Sequence, residues 1–249
     1  MRRAGIADAP LQARAMYGSL GAAALELLWV SAASASSAKT TLGTAIRMTD
    51  ASRARWDAAC ARGRGVVVAA SHTGNWDLAA CAMASELELL VVTKRLKVRG
   101  VDAFWQGTRA ARGVTLSEAG GALARGRATL ARRGAVAMMI DQVPLSSAHA
   151  VVVEFLGAPA HVDRAPATLA ARTGAPRVVT AARRTEAGAH VIEVLDVLEP
   201  PPRADRAWID DATRAATGAL ERFVLSHPSQ WLWLHRRWRP APARRRVRA

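Results

Sequence analysis

The segment Ser71-His72-Thr73-Gly74-Asn75-Trp76-Asp77 carries an imidazole and a carboxylate five positions apart. A side chain that takes a proton from an attacking group must be held in one orientation, and a carboxylate bonded to one ring nitrogen does this for histidine. The spacing can be tested against geometry. On a regular helix a five-residue step turns about 140°, so two helical residues so spaced point apart. His72 and Asp77 meet only if His72 precedes a helix and the chain turns between them. Gly74 tolerates the positive φ of such a turn, and Thr73 or Asn75 can cap the helix. Asp77 then falls in the first turn, where the helix dipole favours a carboxylate. The expected geometry gives the Nδ1–H of His72 to Asp77 and leaves Nε2 free as a base. A satisfied structural His–Asp pair would use the same residues.

The elements around this segment give it a place. Gly65-Val66-Val67-Val68-Ala69-Ala70 is a β-branched run bounded by glycine and reads as a buried strand, and Leu78-Ala79-Ala80-Cys81-Ala82-Met83 continues as a helix. His72 thus sits where a strand ends and a helix begins, the edge at which open α/β sheets bind ligands. Strand and helix signals alternate from there: strand 65–70, helix 76–87, strand 88–93, helix 101–112, strand 113–116, helix 118–133 and strand 135–140. A strand near 151–155, helix 164–173, strands 176–183 and 189–196, helix 206–226 and a strand near 231–234 follow. Thr185-Glu186-Ala187-Gly188 marks the late strand pair as an antiparallel hairpin. Upstream, 45–62 reads as one helix with Thr49 or Asp50 capping its better part. Such alternation predicts an α/β fold with a mostly parallel central sheet flanked by helices. The region 1–240 reads as one domain and 241–249 as a basic disordered tail.

Composition narrows the partners. The net charge is +15, and the three lysines, Lys39, Lys94 and Lys97, leave nearly all of the positive charge to arginine. Abundant alanine and arginine also reflect a GC-rich coding sequence. Nucleic acid or an anionic membrane fits such a charge. The tryptophans Trp231, Trp233 and Trp238 stand beside a cluster of arginines, a pairing suited to a membrane interface. No nucleic-acid-binding signature accompanies them. Cys60 and Cys81 lack metal or disulfide spacing and read as inert reduced thiols. The stretch from Ala15 to Val30 is apolar but contains Glu26. It reads as a poor spanning segment, within a helix over about 11–35 that lies on the membrane or packs on the domain.

The ordered motifs resemble the lysophospholipid acyltransferase superfamily, and within it the bacterial late acyltransferases of lipid A. The branch carries H-x-G-N-W-E/D, and this chain reads H-T-G-N-W-D. Val91-Val92-Thr93-Lys94-Arg95 is similar to the family's strand ending in a basic residue. Gly107-Thr108-Arg109 with Arg112-Gly113-Val114 is similar to its "R…G" stretch. Ala137-Met138-Met139-Ile140-Asp141-Gln142 resembles its strand ending in Asp-Gln, and Val151-Val152-Val153-Glu154-Phe155-Leu156-Gly157 its "v-x-F-F-G". Leu169-Ala170-Ala171-Arg172-Thr173-Gly174-Ala175-Pro176 matches "LA-x-x-T-G-A-P". His227-Pro228-Ser229-Gln230-Trp231-Leu232-Trp233-Leu234-His235-Arg236-Arg237-Trp238 is similar to the closing "P-x-Q-W-x-W-x-H-R-R-W/F". Two features depart: members usually carry a longer N-terminal region with a spanning anchor, and an Asn-Pro step often follows the basic strand.

The resemblance implies a glycerol-3-phosphate acyltransferase-like fold and transfer of a fatty acyl group from acyl carrier protein or acyl-CoA to a hydroxyl of an anionic lipid or glycolipid. It implies His72 and Asp77 as the catalytic pair, no cofactor beyond the acyl thioester, and no acyl-enzyme. It places the enzyme at the cytoplasmic face of the bacterial inner membrane, peripheral or monotopic. Backbone N–H groups near Gly74 and Asn75, with Arg95, are candidates for holding the developing oxyanion. Arg95 and Arg109 could instead bind acceptor phosphate. Asp141 could pair with Arg95 or, with Gln142, bind the acceptor. Ser71 is a poor candidate nucleophile because strand neighbours face opposite ways, and His235 reads as structural. Two other readings remain open: a non-catalytic basic protein for membrane or nucleic acid, and a hydrolase using the same pair.

Overall fold

The computed structural model describes residues 1–243. Its chain opens with helices α1 (Ala9–Ala32) and α2 (Ala35–Ala45), then β1 (Ile46–Met48) and α3 (Asp50–Cys60). The βα alternation follows as β2 (Val66–Ala70), α4 (Trp76–Ala84), β3 (Leu89–Thr93), α5 (Arg99–Ala111), β4 (Val114–Glu118), α6 (Ala122–Ala131) and β5 (Ala135–Met139). The second half holds β6 (Ala150–Phe155), β7 (Ala158–Asp163), α7 (Ala165–Thr173), β8 (Arg177–Arg184), β9 (His190–Leu198) and α8 (Arg206–Ser226).

Among the described residues a seven-stranded sheet runs β1-β9-β8-β2-β5-β3-β4. β8, β2, β5, β3 and β4 are mutually parallel, while β9 pairs antiparallel with β8 and β1 runs parallel to β9. The expected α/β class and the late hairpin are therefore present. Both faces are covered, which explains the unbroken apolar run of β2. Val66 and Val68 enter one core cluster with Leu78, Cys81, Met83 and Trp56; Val67 and Ala69 enter the clusters on the other side.

Several boundaries differ from expectation. Residues 46–48 are an edge strand rather than part of a helix, and α3 starts at Asp50 with the Thr49 hydroxyl capping Ser52 N–H. β6 turns back on β7 as a separate two-stranded antiparallel unit. The segment 231–234 forms no strand; it makes a single bridge, Thr73 to Trp231. At the chain's end Ala241 is buried and Pro242 O accepts from Ser147 N–H, so the packed chain reaches past 240. The arginines of the expected tail, from Arg244 onward, lie outside the described residues.

α1 is long and apolar enough to cross a membrane, yet one side of it is docked. Ala23, Leu27 and Val30 face inward, and the Arg112 guanidinium donates to Val30 O and Ala33 O at its C-terminus. Leu11, Tyr17, Leu25, Leu28 and Trp29 point outward and are exposed.

Candidate active site

Five strand C-termini share one edge of the sheet, and the site is built there. β2 and β5 are parallel neighbours with Ala70 opposite Met139. Two residues beyond each of these lie His72 and Asp141, so the register itself sets them side by side. One Asp141 oxygen, Oδ1, lies 2.9 Å from His72 Nδ1; the other, Oδ2, accepts the His72 backbone N–H at 2.8 Å and the Trp231 indole N–H at 2.9 Å. The Asp141 side chain is 2% exposed and that of His72 is 17% exposed, so the carboxylate is sealed while the ring keeps an open side. Trp76 stacks edge-on to the imidazole at 5.0 Å, and the Gln142 amide lies 3.4 Å from Nε2.

This arrangement corrects the expected pairing. The partner of His72 Nδ1 is Asp141, not Asp77. The turn itself is as expected: Gly74 has φ 54°, Asn75 caps α4 by accepting Leu78 N–H at 3.1 Å, and Asp77 lies in the first helical turn. From there the Asp77 carboxylate faces Arg109, with Oδ1 at 3.5 Å from its Nε, both side chains nearly buried. Asp77 acts on His72 only through its charge.

The electrostatics follow the geometry. Burial works against the His72 cation, but the Asp141 carboxylate outweighs it and raises the imidazole pKa above its ordinary value, with a smaller contribution from Asp77. Burial alone would raise Asp141; the charge of His72 and the hydrogen bonds from His72 and Trp231 bring it down to about 2. Burial pushes the Asp77 carboxyl up, partly offset by Arg109. A buried carboxylate with three donors favours the protonated ring, which suits a histidine that must accept a proton during reaction.

Other expected residues fall differently. Gly74 N–H is already taken by Gln230 O at 2.7 Å, so it is not a free oxyanion donor. A Cβ there would stand 2.6 Å from Ala182 O, which explains why the turn against β8 requires glycine. Arg95 lies in the loop after β3, largely exposed, and pairs with Glu118 at 2.6 Å. It touches neither His72 nor Asp141. Ser71 Oγ is buried 3.1 Å from the Thr73 hydroxyl, away from any base. Cys60 and Cys81 are free thiols, and burial pushes Cys81 up to about 12.

The C-terminal block contributes more than its sequence reading assigned. Leu232 N–H donates to His72 O at 3.0 Å, and with the Gly74–Gln230 bond this clamps the loop 72–74 from one side. Trp231 is fully buried, and the Trp233 and Trp238 indoles donate to Pro228 O and Phe155 O. Trp231 is thus an internal strut, while Trp233 and Trp238 are half-buried with their N–H groups committed to backbone carbonyls. Arg237 is buried with its guanidinium over the Phe155 ring at 5.6 Å and donating to His161 O at 2.5 Å. Spacing alone could not have found these roles. The one signal in the sequence was the block's likeness to the family's closing motif.

Beneath the loop, between α4 and the sheet, lies an apolar cleft of about 540 Å³ including its open mouth. Val68, Ala80, Met83, Leu89, Ala137 and Ile192 line it, and Asp77 and Arg109 add the charged part of its wall. Its walls are mostly small and aliphatic side chains, and Val68 and Leu89 in its lining are fully buried.

No curated protein matched the chain. The sequence model of one family, bacterial lipid A biosynthesis acyltransferase, matches residues 13–240, nearly the whole length and including every residue of the site above. The chain belongs to the bacterial lipid A biosynthesis acyltransferases and is an acyltransferase of lipid A and lipopolysaccharide biosynthesis.

Proposed function

We propose that this enzyme moves a fatty acyl chain from an acyl thioester, on acyl carrier protein or coenzyme A, to a hydroxyl of a lipid A-type acceptor, with His72 as general base. The observation that carries the reading is the Asp141–His72 pair set beside an apolar cleft. His72 Nε2 takes the hydroxyl proton as the oxygen attacks the thioester carbonyl. The C–S bond then breaks, the ester C–O bond is complete, and the leaving thiolate takes the proton back from the imidazolium. No covalent acyl-enzyme and no cofactor enters this sequence. Asp141 holds the ring and supports the imidazolium, and Trp231 holds Asp141. The apolar lining of the cleft is suited to contact with part of the acyl chain. Arg109, the cation in its wall, is suited to the developing oxyanion or an acceptor phosphate.

The reaction needs a membrane surface, since both acceptor and product are lipids. Two exposed apolar features lie by the catalytic edge. One is the outer side of α1; the other is the segment after β3, where Leu96, Val98, Val101 and Phe104 are exposed among Lys94, Arg95, Lys97 and Arg99. Apolar contact plus basic charge favours peripheral binding to anionic lipid at the cytoplasmic face. The test is flotation with anionic liposomes that carry a lipid A precursor, followed by transfer from an acyl thioester in the same vesicles. Binding that weakens with salt, together with acyl transfer, is expected. Failure to bind at low salt, or binding without any transfer, would overturn the reading.

A further inference from the structure

Glu26 is the only charged side chain between Arg14 and Lys39. A carboxylate weakens the affinity of an apolar helix for lipid, so membrane contact alone does not account for it. Its partners do. Asn75 Nδ2 donates to Glu26 Oε2 at 2.8 Å and to Ala23 O at 3.3 Å, while Asn75 Oδ1 caps α4. The Arg184 guanidinium donates to Glu26 Oε1, and His190 Nε2 lies 3.1 Å from Oε2. Arg184 N–H donates to Gln230 Oε1 at 2.9 Å, and Gln230 O accepts from Gly74 N–H. The bonds close a ring: Glu26, Arg184, Gln230, Gly74, Asn75 and back to Glu26. That ring ties α1, the end of β8, the C-terminal block and the loop carrying His72 to one another. Partial burial alone would raise the Glu26 pKa, but the bonds from His190, Arg184 and Asn75 outweigh it and bring it down to about 2.

We propose that Glu26 is a positioning residue for acyl transfer: through Asn75 and Arg184 it couples the lipid-facing helix α1 to the loop that presents His72. The face of α1 opposite its exposed apolar side chains thereby sets the geometry of the base. Docking of α1 and competence of the site are one event. This inference rests on the reading of His72 as the general base.

The test uses the full chain on anionic vesicles holding a lipid A precursor, with Glu26→Gln and Glu26→Ala, and Asn75→Ala alone and combined with Glu26→Gln. Glu26→Gln serves if the alanine variant fails to fold. Expected is a kcat lower by about ten- to a hundredfold, as displacement of a catalytic group by an ångström produces, with acceptor KM and vesicle binding near wild type. The combined variant should lose less than the sum of the two single losses, because the Glu26–Asn75 bond is shared between them, while Asn75→Ala alone also removes the α4 cap. Amide hydrogen exchange over residues 72–78 should speed up in Glu26→Gln. Wild-type kcat and unchanged exchange would overturn the proposal, as would an activity loss that tracks a loss of vesicle binding. The exchange readout does not need turnover. A fully active His72→Ala beside accelerated exchange in Glu26→Gln would therefore sink the base and leave the coupling standing.

Discussion

Asp141 grips His72 at two points, taking its backbone N–H at 2.8 Å with one oxygen and facing Nδ1 at 2.9 Å with the other. Ring and backbone of the histidine are thus referred to one buried carboxylate, which is itself fixed by Trp231. A base held this way needs no reorientation when the acceptor hydroxyl arrives.

The pair predicts the acid limb of the pH profile. Asp141 raises His72 above its ordinary value, with Asp77 helping and burial and Arg109 opposing. The base works only when neutral, so kcat/KM should fall as pH drops through a pKa above the 6.5 of free histidine. Asp141→Asn removes the largest raising influence. It should move the limb to lower pH and cut the plateau by about 10²–10⁴-fold. An unmoved limb in Asp141→Asn would detach the carboxylate from the base.

Trp231→Phe keeps most of the ring volume but leaves an Asp141 oxygen one donor short. An unmade hydrogen bond to a buried charged group costs about 1–3 kcal/mol, so thermal stability and kcat should both drop. Circular dichroism melting, together with turnover, would read the two effects. Wild-type values for both would show that the indole N–H is idle.

The two arginines should separate. Arg95 pairs with Glu118 in the open, where ion pairs contribute little, so Arg95→Ala should retain near-normal kcat and KM. Arg109 is sealed in the cleft wall facing Asp77. Arg109→Ala leaves that carboxylate buried and unpaired and should lower both stability and turnover. Steady-state kinetics with each variant checks this, and the reverse ranking would return Arg95 to the site.

Chain-length selection should follow the cleft. Ala80 sits on α4 facing into it. Ala80→Phe should shift preference to shorter acyl donors, since each methylene excluded from apolar contact loses about 0.8 kcal/mol. Competition between donors of different length, read by mass spectrometry of the product, measures the shift. An unchanged preference would place the acyl chain elsewhere.

Local signals carried much of the architecture. The glycine-bounded valine run ended where expected, Asn75 capped the following helix, and Thr185-Glu186-Ala187-Gly188 marked a real hairpin between β8 and β9. Elements decided by tertiary contact were not legible. Ile46-Arg47-Met48 continues a helical pattern and becomes a strand only because β9 offers an edge. Ala158-Pro159-Ala160-His161 lacks strand propensity and is held by pairing with β6. Trp231-Leu232-Trp233-Leu234 alternates like a strand, but its indoles are committed to buried acceptors. The partner of His72 depended on strand order. Placing β5 beside β2 brings Asp141 to the imidazole, and no pattern within either segment encodes that neighbourhood.

The most direct test of the account is acyl transfer by purified His72→Ala on vesicles carrying a lipid A precursor, with folding verified by melting. Turnover should be lower by about 10²–10⁴-fold, the loss typical of a missing general base, with vesicle binding unchanged. Turnover near that of the wild type would contradict it.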